Sequence, residues 1–231
     1  MLPTSPPPVI VLDNLVKFFG RFAALRGISA TFAAGRLYVV LGDNGAGKST
    51  LLRVIAGLME PSHGSSTLLG AKNVRAVAHR VGYMGHAPLL YDELSGMENL
   101  RYFAGLYGIL SDDASRNAML MVGLDPNLAR HVGQYSQGMR QRLSLARAVL
   151  HDPELMLLDE PFSNVDVHSA RDMAAVLGRV RDHGKTIFVV THQPQLMEGV
   201  ADEFVHMSEG LIVKREEGAR PATIDAVRSA P

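Results

Sequence analysis

The sequence predicts an α/β fold: a parallel sheet covered on both faces, an antiparallel β region near the N-terminus, and a helical subdomain inserted midway. Three observations carry this prediction. Leu37–Leu41, Leu155–Leu158 and Thr186–Val190 are short, almost wholly apolar runs of the kind that form strands buried on both faces. A helix-period stretch, about His168 to Arg181, separates the last two, and strands alternating with helices imply a parallel sheet. From 87 to 150 the alternation lapses and helix spacing alone remains.

In chain order, residues 1–8 form a proline-rich stretch expected to be mobile. Val9–Val16 and Leu25–Phe32 read as strands joined by a turn at Gly20-Arg21. The Leu37–Leu41 strand leads through a glycine-rich octapeptide into a helix from Thr50 to Ala56, which stops at Gly57 with Pro61 beyond. Strands follow near Ser66–Leu69 and over Arg80–Met84. Helices are expected from about Ala87, with Glu98–Leu106 and Ala114–Val122 apolar at helix spacing and Gly108 and Gly123 at their ends. Ser136–Leu150 is the clearest helix: Met139, Leu143, Ala146 and Leu150 share one face, with Arg140, Arg142 and Arg147 on the others. Residues 1–231 then form a single domain, with its core over about 9–86 and 151–215, a helical subdomain over about 87–150, and tails at 1–8 and 216–231 expected to be mobile.

Composition narrows the function classes. The 231 residues carry 23 basic and 23 acidic side chains, which argues against a broad electrostatic grip on nucleic acid. Cysteine is absent, so disulfides and thiolate metal sites are excluded. No apolar stretch approaches the ~20 residues of a membrane span, and the N-terminus lacks the plan of a signal peptide. The chain is expected to be soluble and to reach a membrane only through a partner.

The octapeptide Gly42-Asp43-Asn44-Gly45-Ala46-Gly47-Lys48-Ser49, with Thr50 next, carries the chemistry. A phosphate chain needs several backbone N–H groups aimed at one point, and glycines let the chain wrap that closely. The helix that follows adds the positive end of its dipole. Lys48 is placed to reach β- and γ-phosphates, and the Ser49 hydroxyl to ligate Mg²⁺. The Leu155 strand ends in Asp159-Glu160, and ligands of α/β sheets lie beyond the carboxyl ends of strands. Asp159 is therefore expected to face the same Mg²⁺ and Glu160 to polarise an attacking water.

Between these motifs lies Tyr135-Ser136-Gln137-Gly138-Met139-Arg140-Gln141-Arg142, opening the clearest helix. Here the chain resembles the ABC-type ATPases, whose signature reads Leu-Ser-Gly-Gly-Gln before a helix. Ser136, Gly138, Gln141 and Arg142 match that pattern; Tyr135, Gln137 and Met139 depart from it. The resemblance, spanning about residues 9–215, implies a RecA-like P-loop NTPase core and ATP as ligand. It also implies a homodimer in which Ser136 and Gly138 of one subunit complete the ATP site of the other. Phe19 resembles the aromatic that stacks on adenine, Asp166 in Ser163-Asn164-Val165-Asp166 the interface loop, and His192 after Val189-Val190-Thr191 the histidine that contacts the γ-phosphate. His86 stands where most relatives place a glutamine that touches Mg²⁺ and the transporter.

Gly85-His86, Leu90–Leu94 with Glu98-Asn99-Leu100, Asp159-Glu160-Pro161-Phe162 and Thr191-His192-Gln193-Pro194 together resemble the haem-exporter ATPase of cytochrome c maturation. The signature also resembles ATPases of drug and polysaccharide exporters. Both imply an ATPase on the cytoplasmic face of the inner membrane, bound to permease subunits encoded separately, with no nucleic-acid partner. A soluble ABC ATPase acting on DNA or ribosomes is the alternative from another class. The stretch from Lys48 to Asp159 has no room for the long coiled coil of the DNA-repair kind, and one ATPase unit per chain disfavours the ribosomal kind.

Overall fold

Alternate residues of each central strand enter two different cores, which is why those strands read as unbroken apolar runs. Leu37 and Val39, Met156 and Leu158, and Ile187 and Val189 pack on one face of the sheet with the helices around residues 97–201. Tyr38 and Val40, Leu155 and Leu157, and Phe188 and Val190 pack on the other with the phosphate-loop helix and the N-terminal strands. Phe32, Tyr38 and Phe188 form an aromatic trio in that second core, with Tyr38 and Phe188 stacked at 4.7 Å between ring centroids.

The structure, a computed structural model, describes residues 8–219; residues 1–7 and 220–231, where most of both expected tails fall, lie outside the described residues. Strands β1 (Pro8–Phe19), β2 (Phe22–Ala33) and β4 (His63–Leu68) make an antiparallel sheet ordered β2-β1-β4. The second sheet has six strands ordered β5-β6-β7-β3-β8-β9. Here β3 is Leu37–Leu41, β5 Val81–Met84, β6 Leu155–Asp159, β7 Thr186–Val190, β8 Glu203–Ser208 and β9 Leu211–Glu217. Its pairs are parallel except β8 with β9 at the edge. Helix α1 (Lys48–Ile55) follows β3; α2 (Gly96–Leu106), α3 (Asp112–Met121) and α4 (Gln137–Val149) lie between β5 and β6; α5 (Val167–Asp182) joins β6 to β7. Among the described residues, no helix is long and apolar enough to cross a membrane.

Three expectations are corrected. The helical stretch starts at Gly96, not near Ala87: Ser95 caps α2 in a reciprocal capping box with Glu98, and Asn99 ties down the preceding loop by bonding Tyr91 N–H and C=O. Strands β8 and β9 fill the end of the expected core, for which no element was expected, and β9 extends to Glu217, inside the stretch expected to be a mobile tail. They were hidden because β8 points a charge inward. Glu203 is buried and is matched by Arg36, from the turn before β3, and by Arg215 of β9. Finally, β4 lies at His63–Leu68 and ends before Leu69, which takes a positive φ of 49°.

This order places four loops side by side. Strands β5, β6, β7 and β3 are adjacent and run in the same direction. The segments leaving their carboxyl ends are Gly85-His86, Glu160, Thr191-His192 and the octapeptide.

Candidate functional site

Close backbone approaches explain two of the loop glycines. A Cβ on Gly42, at φ +149°, would lie 2.2 Å from the Met207 carbonyl of β8, and one on Gly47, at φ +98°, 2.5 Å from the Ala24 carbonyl of β2. The loop is thus clamped between two strands, and α1 starts with Gly47 at its N-cap and no acidic side chain in its first turn. That leaves N–H groups and a positive dipole end with no acidic side chain of the helix itself to cap them. Lys48 folds back over the loop, its Nζ donating to the carbonyls of Gly42 (2.6 Å) and Asp43 (2.9 Å). Its ammonium is buried, and burial lowers its pKa against the opposing pull of Glu160, Asp159 and Asp43.

The Ser49 hydroxyl donates to Asp159 Oδ1 at 2.9 Å. Asp159 is 1% exposed, and its second oxygen, Oδ2, is buried with no hydrogen-bond partner among the described residues. An orphaned buried carboxylate oxygen beside a hydroxyl fits a hard divalent cation such as Mg²⁺. No cluster of three or more His, Asp or Glu is available among the described residues to cage a metal.

Glu160 follows in a left-handed conformation, φ +55°, which costs a non-glycine residue about 1–3 kcal/mol. The surroundings hold it there. Its N–H donates to Val190 O (2.9 Å), its C=O accepts from Gln141 Nε2 (2.9 Å), and its Oε2 accepts from the His192 N–H (3.3 Å). The His192 ring stands 3.4 Å from Oε1 by its Nε2, and that oxygen is buried without a hydrogen bond. Burial raises the Glu160 pKa, with His192 pulling the other way.

These groups line one cleft of about 790 Å³. Asn44, Gly45, Ala46, Gly47, Lys48, Ser49 and Thr50 form its floor, with Asp159, Glu160, His192 and the exposed His86 on the walls and Phe19 at the mouth. Gly42 and Asp43 lie behind the floor, reached through Lys48. Ser136, Gly138 and Asp166 do not line the cleft. Ser136 caps α4 by accepting from Met139 N–H (3.2 Å), and Asp166 caps α5 by accepting from Ser169 N–H (2.9 Å), a bond that lowers its pKa. A Cβ on Gly138 would meet nothing nearer than 4.0 Å, so the α4 terminus is open. Sequence reasoning passed over Phe22, which pairs with Phe19 across the β1–β2 turn and also lines the cleft, and the Gln141 contact to Glu160. The aromatic pair flanking Gly20-Arg21 was a readable signal for the first.

Over residues 25–163 the sequence matches the ABC transporter family. The chain belongs to this family. It is an ABC ATPase with ATP as its ligand, and the P-loop NTPase fold expected from the sequence is the fold found. It is 34% identical to the ABC transporter ATP-binding protein NatA of Bacillus subtilis, over 89% of this chain and 86% of NatA. It is also 34% identical to the bacitracin transport ATP-binding protein BcrA of Enterococcus faecalis, over 89% of this chain and 68% of BcrA. A fluoroquinolones export ATP-binding protein of Mycobacterium tuberculosis is 35% identical over 82% of this chain and 64% of its own length. Among solved structures, the ATP-binding cassette MJ0796 in its dimeric form bound to ADP and phosphate superposes with a TM-score of 0.83. That match is 23% identical, covers 90% of this chain and 98% of the cassette, and shows the fold alone. An ATP-binding subunit of an ABC transporter matches with a TM-score of 0.81 at 26% identity over 90% of each chain.

Proposed function

We propose that this chain binds and hydrolyses ATP to energise an exporter, as a peripheral subunit held on the cytoplasmic face of the membrane by separately encoded permease subunits. The observation that carries the site assignment is the convergence of a phosphate-type loop, an orphaned Asp159 oxygen, Glu160 and His192 at the ends of three adjacent strands, β6, β7 and β3.

In this reading Lys48 exchanges the loop carbonyls for β- and γ-phosphate oxygens, and the amides of Asn44–Thr50 surround the phosphates. Phe19, with Phe22 beside it, offers a face to adenine. Ser49 and Asp159 would hold Mg²⁺, and His86 stands on the wall of the same cleft. When bound, Mg²⁺ supplies charge neutralisation at the transferring phosphoryl group. Glu160 accepts the proton of the attacking water, a role that its burial-raised pKa favours. His192 holds the γ-phosphate side of the cleft and orients Glu160 through its backbone N–H.

Ser136, Gly138 and Asp166 do not line this cleft, which supports a head-to-tail homodimer in which they close over the partner's ATP. Solved cassettes of this fold include a dimer. For cargo, the relatives named for bacitracin transport and fluoroquinolone export favour a drug or peptide antibiotic. A second reading, haem export in cytochrome c maturation, keeps one specific observation in its favour: His86 on the cleft wall in place of the usual glutamine. None of the relatives named above is a haem exporter.

The test is ATP hydrolysis by the purified chain, followed by its affinity capture from native membranes. Hydrolysis with a co-purifying drug-type permease supports the first reading, and cytochrome-maturation membrane proteins select the second. Absence of nucleotide binding and hydrolysis in every assembly would defeat both.

A further inference from the structure

Helix α4 buries two polar side chains among the described residues, Gln141 and Ser144. Three positions apart, they lie on one helical face, and both donate to backbone carbonyls of loops bounding the cleft. Gln141 Nε2 reaches Glu160 O at 2.9 Å, and Ser144 Oγ reaches Pro88 O at 3.2 Å. A buried amide is retained against its desolvation penalty only while it is bonded, so this contact fixes a geometry.

The geometry it fixes is that of Glu160. The positive φ of 55° is held by bonds on each side of the residue. The N–H is tied to β7 through Val190 O, while the C=O accepts from Ser163 N–H (3.2 Å) and from Gln141. Ser163 belongs to the same short turn and moves with it. Gln141 is the one of these bonds that reaches the residue from α4. The contact therefore ties the Glu160 peptide to a helix whose N-terminal end, about one turn before Gln141, carries Ser136 and the open Gly138.

We propose that Gln141 is a positioning residue for Glu160, and that its bond to the Glu160 carbonyl couples the placement of α4 to the aim of the carboxylate in the same chain. The inference rests on the reading of Glu160 as the group that accepts the water's proton. It predicts that a shift of α4, however produced, is felt at Glu160 before it is felt at the phosphate loop, because the side chains of Lys48 and Ser49 bond to Gly42, Asp43 and Asp159, whereas Glu160 is bonded to α4 itself.

The experiment is a two-by-two comparison of ATPase kinetics: wild type, Gln141→Met, Glu160→Gln and the double variant. Methionine keeps the chain length and removes the donor. We expect kcat to fall about tenfold in Gln141→Met, the equivalent of ~1.4 kcal/mol, with KM for ATP within about twofold. In the Glu160→Gln background the same change should alter the residual rate by less than about twofold, because the group it aims has already been disabled. Should Gln141→Met yield no folded protein, Gln141→Leu, which also lacks the donor and puts no charge beside Glu160, carries the same comparison. A tenfold loss in both backgrounds, or a raised KM at unchanged kcat, overturns the inference. Wild-type turnover in Glu160→Gln alone overturns the underlying reading as well, whereas a slow Glu160→Gln beside an unaffected Gln141→Met overturns the positioning role only.

Discussion

Replacing Glu160 by glutamine separates the fold of the cleft from its chemistry. The carboxylate side chain is 15% exposed, and one of its oxygens accepts the His192 N–H at 3.3 Å. Glutamine keeps that acceptor and the length of the side chain, and its amide nitrogen takes the place of the oxygen facing the His192 ring. The substitution also removes a charge that burial disfavours, so thermal stability should not fall. Lys48, Ser49 and the loop amides are untouched, so ATP should bind with wild-type affinity. What disappears is the acceptor for the water's proton, a contribution of about 10²–10⁴ in rate, or ~3–5 kcal/mol. Phosphate release measured alongside a fluorescent-nucleotide titration resolves the two effects. Turnover within about tenfold of wild type, at unchanged affinity, would show that Glu160 is not the proton acceptor.

Four further outcomes follow from the same geometry. Lys48→Ala should weaken ATP binding by about 10–100-fold, the value of one or two charge-assisted hydrogen bonds, and leave adenosine binding unchanged; equal affinity for ATP in titrations with Mg²⁺ contradicts the phosphate assignment. Asp159→Asn keeps an oxygen for Ser49 but loses the charge beside the orphaned position, so the Mg²⁺ concentration giving half-maximal turnover should rise at least about tenfold. His86→Gln should retain ATPase activity, since either side chain can accept a bond at the cleft wall, and its loss would give His86 a role glutamine cannot fill. Tyr38→Phe leaves the Ala33 N–H and C=O without the hydroxyl that bonds both (2.8 and 3.0 Å), so the urea midpoint should drop by ~1–3 kcal/mol equivalent at unchanged turnover. Burial pushes the Tyr38 hydroxyl up to about 12 from 10.0. Its stabilising share is therefore complete below pH 10 and lost as pH rises towards 12, and the deficit of Tyr38→Phe should shrink over that window.

How much was legible depended on whether the information was local. The phosphate loop is a local object: glycine spacing, the following lysine and the flanking strand and helix are all contiguous. Asp159 and His192 were readable because each ends an apolar strand, and the parallel order carries both ends to the same edge. Strand β8 was not readable, since the charge of Glu203 makes sense only once Arg36, from the turn before β3, and Arg215, from the paired strand β9, meet it. The loop before α2 was misread as helix although Ser95 and Glu98, three apart, form a capping box that the sequence displays. Gln141 stood in the signature stretch, but its destination is set by where the turn after β6 lies against α4, which no local pattern encodes.

Asp159 and Glu160 are consecutive, and each keeps one buried carboxylate oxygen without a hydrogen bond. Buried unpaired anions ordinarily lower stability, and Glu160 adds a strained backbone to the same spot. Elsewhere the fold resolves its buried charges: Glu203 has two arginines, and Arg181 is bonded to Asp202. At the cleft the compensation is partial, because the Lys48 ammonium is turned towards the loop carbonyls rather than to either carboxylate. Negative potential is thereby left facing a pocket whose floor is backbone N–H groups and a helix N-terminus. A ligand matched to both faces carries anionic oxygens on one side and a divalent cation on the other, which is the charge pattern of a magnesium-bound triphosphate. Neutralising Asp159 and Glu160 together should therefore raise the stability of the free protein while removing its turnover.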